Sequence, residues 1–284
     1  MSTPFASFWS GGFESSCHVN RLGTRLDLIA ATQHDRLAKE DYQRLREIGM
    51  LTARDGVRWP LIDRSGTYNF ASFLPMLQAA RAAGIQVNWT LCHYGWPDDI
   101  DVFSGGFVDR FARYAAAVAS LVAGESADVP VYTLINEPSF LAWAAGDGGI
   151  CHPRATGRGH ELKRQIVRAT IAGIEAIRSI DRRARFVHVD PMINVVPRVD
   201  RPEDGARAFA HTTSQYESWA LLTGELEPDL GGRADYLDIA GYNYYHSNQW
   251  ELGGSRLRWE DHPLDPRWMP LQELLTRAHK RPRA

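Results

Sequence analysis

Pro130-Val-Tyr-Thr-Leu-Ile-Asn-Glu-Pro138 carries the clearest fold signal in the chain. Residues 130–135 form a short apolar run, which is typical of a buried strand. Asn136 and Glu137 follow the run directly, so an amide and a carboxyl group are expected at the carboxyl end of that strand. In parallel α/β proteins, binding and catalytic side chains collect at that end.

The same alternation extends in both directions from this run. Short apolar runs lie at residues 5–12, 50–54, 85–92, 130–135, 185–189 and 236–242. Stretches with helical spacing of apolar residues lie at 41–48, 70–83, 107–122, 161–179, 211–222 and 268–279. A strand followed by a helix, repeated without hairpin signals, predicts a parallel sheet.

Two parallel architectures compete for this pattern, the doubly wound sheet and the closed barrel. A dinucleotide-binding sheet requires Gly-x-Gly-x-x-Gly after its first strand, and Ser10-Gly-Gly-Phe-Glu14 does not fit it. The barrel predicts polar residues just past every strand. They are present at Glu14, Arg54, His93, Glu137, Asp190, Asn243 and Tyr245. We therefore predict an α/β fold of the TIM (β/α)8 type in one domain, residues 1–284.

The predicted barrel is incomplete. About 40 residues follow the sixth run, and the last helix occupies most of them. Two further strand–helix units are needed to close eight strands. We expect about six of the eight units, with the C-terminal units missing and open sheet edges that favour association with another chain.

Composition excludes several classes of function. A net charge of −2 gives no basic surface for nucleic acid or an acidic membrane. Neither a membrane-length apolar run nor a signal peptide is recognisable. The scattered cysteines Cys17, Cys92 and Cys151 indicate reduced thiols in a cytoplasmic protein, and no Cys/His spacing predicts a metal site. No cofactor is expected.

Several motifs, in order, resemble glycoside hydrolase family 1, the β-glucosidase and β-galactosidase group. They are Lys39-Glu-Asp-Tyr42 before the second strand, Arg54-Asp-Gly-Val-Arg-Trp-Pro60, Thr90-Leu-Cys-His-Tyr-Gly-Trp-Pro97, Asn136-Glu-Pro138 and Leu237-Asp-Ile-Ala-Gly-Tyr-Asn-Tyr-Tyr245. The resemblance covers nearly all of the chain. It implies a retaining hydrolase of β-linked glycosides with a small carbohydrate substrate.

The resemblance assigns Glu137 as the acid/base that protonates the leaving oxygen. It implies that Asn136 donates to the sugar 2-OH, that His93 binds the 3-OH, and that Arg54 and Tyr245 face the nucleophile. The remaining substrate-binding candidates are Glu14, near the family's sugar-binding Gln; Asn243, in the sixth-strand motif; and Trp250, as a sugar platform with Trp96 and Trp143. Asp190, His246, Asn248 and Gln249 are weaker candidates.

The chain also departs from the family pattern. Tyr94 replaces the usual Trp. The family's nucleophile is a Glu at the end of the seventh strand, and no residue of this chain matches it. The alternatives are therefore an inactive relative or fragment that binds sugar, or an α/β enzyme of another class such as a reductase. Glucose and galactose are not distinguished.

Overall fold

The computed structural model describes residues 4–280, and within them a sheet of six parallel strands follows chain order. The strands are β1 (Ser10–Gly12), β2 (Thr52–Gly56), β3 (Gln86–Cys92), β4 (Val131–Ile135), β5 (Arg185–Pro191) and β6 (Ile239–Asn243). β1 and β6 are the edges of the sheet in this part of the chain.

The sheet is strongly curled. Arg54 on β2 donates from Nη1 to Oδ1 of Asn243 on β6, at 3.3 Å. Strands in one sheet lie about 4.8 Å apart, so a flat sheet would hold these two strands nearly 20 Å from each other. The side chains meet only because the sheet bends toward a barrel. The described residues thus form an incomplete barrel of the (β/α)8 type, as predicted.

Helices connect successive strands. They are α1 (Leu28–Ala31), α2 (His34–Glu47), α3 (Trp59–Ile62), α4 (Leu74–Ala83), α5 (Gly105–Glu125), α6 (Pro138–Leu141), α7 (Gly159–Ile180), α8 (Gly205–Thr213), α9 (Glu217–Thr223) and α10 (Leu271–His279). No helix within residues 4–280 is long and apolar enough to cross a bilayer.

Aromatic packing joins α3 to α5. Trp59 is fully buried and stacks on Tyr114, with ring centroids 5.1 Å apart and planes at 12°. The edge of Phe111 meets the same indole at 5.2 Å. Buried aromatic side chains of this size dominate core energetics. They anchor the outer helix layer, and with it the strand ends that carry the site.

Four local expectations were wrong. A short antiparallel pair joins Asp63–Arg64 to Thr67–Tyr68, although no hairpin was predicted. The apolar run at 5–12 contributes only Ser10–Gly12 to the sheet. The final helix begins at Leu271 rather than at residue 268.

The fourth error concerns the helix predicted over residues 211–222, which is interrupted by a 3-10 turn at Ser214–Tyr216. The Ser214 hydroxyl donates to the His211 carbonyl at 2.8 Å, and Thr212 Oγ1 accepts from the Val195 amide at 2.8 Å. Short hydroxyl side chains compete with helical hydrogen bonds in this way. The break therefore has a local cause in the sequence.

Candidate active site

A cavity of about 360 Å³ opens at the carboxyl ends of the strands. Its lining combines polar groups with a few aromatic rings, as small-molecule sites commonly do. The lining residues are Glu14, Arg54, His93, Tyr94, Asn136, Glu137, Phe140, Pro191, Asn243, Tyr245, Ser247 and Asn248. Seven of the eight predicted site residues lie here; Trp250 does not.

Glu137 is the most enclosed carboxylate of this cavity, with 6% of its surface exposed. It follows β4 and immediately precedes α6. Asn243 Nδ2 donates to its Oε1 at 2.8 Å, and the Tyr94 hydroxyl donates to its Oε2. Both oxygens therefore have fixed directions within the cavity.

Burial raises the pKa of Glu137 above the ordinary glutamate value. The hydrogen bonds from Tyr94 and Asn243 and the charge of Arg54 lower the pKa, but by less than burial and the negative charge of Glu14 together raise it. The carboxyl group consequently holds its proton to a higher pH than an exposed glutamate. A general acid needs this property.

Arg54 fixes the two amides that flank Glu137. Its Nη2 donates to Asn136 Oδ1 and its Nη1 to Asn243 Oδ1. Because the guanidinium carries only donors, both amide oxygens must point toward it. The Asn243 amide nitrogen is therefore turned toward Glu137. Among the described residues, the Asn136 amide nitrogen has no hydrogen-bond partner and remains free to donate into the cavity.

Arg54 interacts with the carboxylates of Glu137 and Glu14 through their charges, without a direct ion pair to either. Its hydrogen bonds go to the neutral oxygens of Asn136, Asn243 and Thr90, and burial lowers its pKa. No carboxylate within residues 4–280 forms an ion pair with it. A buried charge in this position favours an anionic group placed against it.

Glu14 and His93 form a second polar group in the cavity lining. His93 Nδ1 lies 3.0 Å from Ser15 Oγ, and His93 Nε2 lies 3.5 Å from Glu14 Oε1. Burial lowers the pKa of His93 to about 4, so the ring is neutral near neutral pH. Burial raises the pKa of Glu14, but His93, the Ser16 amide and Arg54 together bring it below the ordinary value. Glu14 is therefore an ionised acceptor, and 48% of its side chain is exposed.

The backbone at the site is unusual at two hydrogen-bonded residues. Tyr94 has φ of 64° and Glu137 has φ of 45°, both in the left-handed region. A side chain in this region costs about 1–3 kcal/mol unless the surroundings enforce it. Part of that enforcement comes from Gly95, where a Cβ would lie 1.6 Å from the Cys17 carbonyl oxygen. The loops after β1 and β3 are thus held in direct backbone contact.

The predicted tryptophan platforms are not in this cavity. Trp96 is 2% exposed and belongs to the core, so the platform role proposed for it is wrong. Trp250 and Trp143 line an adjoining cavity of about 860 Å³, which shares Phe140, Pro191 and Asn248 with the first. Gln249 is fully buried and donates to the Met269 carbonyl at 2.7 Å, which is a structural role.

Sequence reasoning missed the role of Tyr94 and underrated Asp190. Tyr94 was noted only as a departure from the family, yet it binds Glu137 directly. Asp190 was ranked as a weak candidate, but it is buried and its pKa is raised by burial to about 7. Its position at a strand end was the available signal. No group of three or more metal-ligating side chains occurs among the described residues.

Solved structures with the same arrangement of elements are known. The family 1 β-glucosidase from Thermotoga maritima superposes with a TM-score of 0.63 at 18% identity, covering 75% of this chain and 54% of that one. The chain has part of the barrel fold of a family 1 β-glucosidase. The same enzyme in complex with castanospermine matches at a TM-score of 0.64 and 16% identity, over 86% of this chain and 66% of that one.

A third solved structure, the AHE enzyme from Alicyclobacillus herbarius, matches at a TM-score of 0.61 and 20% identity, over 75% of this chain and 55% of that one. The chain spans about half the length of the first solved structures it matches. No protein-family model and no curated protein matches the sequence. At such low identity the likeness concerns the fold, and the residue roles rest on the geometry of the cavity.

Proposed function

We propose that this chain carries the acid/base half of a retaining β-glycosidase site, acting on β-glucosides or β-galactosides. The observation that carries the proposal is Glu137, a buried carboxyl group with a raised pKa at the wall of a sugar-sized polar cavity. Glu137 protonates the glycosidic oxygen as the bond to the anomeric carbon breaks. It then takes a proton from the water that completes hydrolysis.

Other side chains orient the sugar. The free amide nitrogen of Asn136 donates to the 2-OH, a contact that strengthens in the transition state. Neutral His93 and ionised Glu14 bind further hydroxyl groups of the sugar. Tyr245 and Asn243 complete the lining beside Glu137. No cofactor takes part in this chemistry.

Retention also requires a second carboxylate about 5–5.5 Å from the first. Arg54 donates only to neutral oxygens among the described residues, which supports a position for the second carboxylate beside that guanidinium. We propose that the nucleophile comes from outside residues 4–280, so that the isolated chain turns over slowly. A small anion that binds beside Arg54 can then replace the missing group.

Azide tests the proposal directly. With azide and phenyl β-glucoside, azide forms a bond to the anomeric carbon, the carbon–oxygen bond breaks, and phenol leaves with the proton of Glu137. We expect at least about a 100-fold rate increase over the chain without azide, with an α-glycosyl azide as the product identified by NMR.

Glu137→Gln should abolish azide-dependent cleavage of phenyl β-glucoside, with a smaller loss for the 4-nitrophenyl glycoside, whose leaving group needs less protonation. Glu47→Gln, at an exposed glutamate of α2, is the matched control and should behave as the wild type. Azide-dependent cleavage of phenyl β-glucoside that survives Glu137→Gln contradicts the assignment of Glu137. Robust turnover without azide would instead place the second carboxylate inside this chain, with Glu14 as the first candidate.

The second candidate function is sugar binding without cleavage. It is favoured by the same observation, that Arg54 donates only to neutral oxygens within residues 4–280. It predicts that glucose or galactose raises the melting temperature while no product forms with or without azide.

A further inference from the structure

Asp190 lies in β5, next to the cavity but outside its lining, and is 1% exposed. Its Oδ1 accepts from the Ser139 amide at 2.9 Å, and its Oδ2 accepts from the Ser139 hydroxyl at 2.9 Å. The Ser218 hydroxyl on α9 also donates to Oδ2. A single carboxylate thus joins β5, the first turn of α6 and α9.

The turn that Asp190 holds is the one that carries Glu137. Ser139 lies two residues after Glu137, and the Glu137 amide donates to the carbonyl of Val189, one residue before Asp190, at 3.0 Å. β5 therefore binds this turn twice, once through its backbone and once through a buried side chain. The left-handed φ of Glu137 persists only if its surroundings hold it in place.

We propose that Asp190 is a positioning residue for Glu137, which it holds in the cavity through Ser139. The role rests on the proposed function of Glu137 as the acid/base and adds a residue to that site. Asp190 does not line the cavity, so it acts through the turn and not on the substrate.

The electrostatics of the two groups agree with their proximity. Burial, together with the negative charge of Glu137, raises the pKa of Asp190 to about 7, although hydrogen bonds from Ser218 and Ser139 act in the opposite direction. The groups that act on the two carboxyls are Tyr94, Asn243, Arg54, Glu14, Tyr245, Ser139 and Ser218.

The test follows the Glu137 carboxyl itself and needs no turnover. The chain is labelled with [13Cδ]glutamate, and the Glu137 signal is identified by its loss in Glu137→Gln. Its titration is then recorded for the wild type, Asp190→Asn, Asp190→Ala and Ser139→Ala. Ser218→Ala is the matched control, because it removes a hydrogen bond to Asp190 without touching the Glu137 turn.

We expect the Glu137 titration midpoint to fall by about one pH unit in Asp190→Ala, a tenfold change in its proton affinity. Ser139→Ala should give a smaller fall, and Ser218→Ala almost none. A wild-type midpoint in folded Asp190→Asn and Ser139→Ala would overturn the proposal. If Asp190→Ala does not fold, these two variants decide the question.

Failure of the proposed function would look different. A chain that cleaves no glycoside under any condition can still show the Asp190-dependent titration of Glu137. Conversely, azide-dependent cleavage that requires Glu137 can coexist with a midpoint insensitive to Asp190, which would contradict the positioning role alone.

Discussion

Glu137 must hold a proton before it can pass one to a leaving group. Its pKa is raised, chiefly by burial, so the protonated form persists to higher pH than for an exposed glutamate. We predict that kcat/KM for azide-assisted cleavage of phenyl β-glucoside is high below this pKa and falls tenfold per pH unit above it. A plot of log kcat/KM against pH measures this falling limb and its midpoint. The control is Glu137→Gln with the 4-nitrophenyl glycoside, which this variant should still cleave in azide. A falling limb that persists there would assign the limb to another group.

His34 is a second titratable residue whose pKa matters, and it lies outside the cavity lining. It is buried between Asp41 and Asp55, with ring nitrogens at 2.8 and 2.9 Å from their oxygens. Burial opposes the positive charge, but hydrogen bonds and charges from Asp55 and Asp41 outweigh it and raise the pKa of His34. The folded state therefore binds a proton more tightly than the unfolded chain does.

This difference makes stability depend on pH. The contribution of His34 is fully present below its unfolded pKa of about 6.5 and is lost as the pH rises through the raised folded value. We predict that His34→Gln lowers the free energy of unfolding by about 3 kcal/mol near pH 6 and by less at alkaline pH. Urea denaturation at several pH values measures it, with exposed His246→Gln as the control. An equal loss at every pH would show that the imidazole is not charged.

The sequence allowed most residues of the site to be predicted, but not which of them contact one another. Asn136, Glu137 and Asn243 could be predicted, because each lies at the carboxyl end of a parallel strand and such ends converge. Arg54 was predicted for the same reason, although it lies in the middle of β2. Which of them bind one another could not be predicted, since the contact of Arg54 with Asn243 depends on how far the sheet curls. Trp250 was placed in this cavity on residue type alone, but it lines the adjoining one.

At the level of elements, Gly95 allows the loops after β1 and β3 to touch. The Cys17 amide donates to the His93 carbonyl at 3.1 Å, and the Cys17 carbonyl blocks any Cβ at Gly95. We predict that Gly95→Ala lowers the free energy of unfolding by at least about 2 kcal/mol, because the neighbour is backbone and cannot rotate away. Thermal or urea denaturation measures this change.

Gly124→Ala is the matched control for that variant. Gly124 lies in α5, and a Cβ there meets nothing within 4 Å. Alanine has the higher helix propensity, so this variant should gain up to about 1 kcal/mol. Similar stabilities for Gly95→Ala and the wild type would mean that the two loops separate easily.

Helices and strands could be predicted where apolar residues recur with a clear helical or strand period. The amphipathic pattern of 161–179 became α7 (Gly159–Ile180) with little change at its ends. The break at Ser214–Tyr216 was not predicted, because apolar spacing continues through it while hydroxyl side chains compete for the backbone. Short strand pairs such as Asp63–Arg64 with Thr67–Tyr68 are too brief to leave a periodic signal.

For the whole molecule, the main consequence is an open sheet. β1 and β6 are its edges within the described residues, and Phe8 and Trp9, just before β1, are 90% and 71% exposed. Unpaired edges and exposed aromatic side chains favour contact with another polypeptide. We predict concentration-dependent self-association that a Phe8→Lys/Trp9→Lys variant suppresses.

Sedimentation velocity over a wide range of concentration measures this association. Val199→Lys is the control, since Val199 is 77% exposed but lies after β5, away from β1. A monomer at every concentration in the wild type would show that this edge does not recruit a second copy.

The left-handed backbone at Glu137 and Tyr94 has one more consequence. Both residues have a strained backbone conformation, which the packing of the surrounding barrel maintains. When denaturant or heat weakens this packing slightly, we expect the two residues to leave the strained conformation before the helices unfold. Mild denaturant should therefore turn the acid away from its pocket while the circular dichroism of the chain is still unchanged.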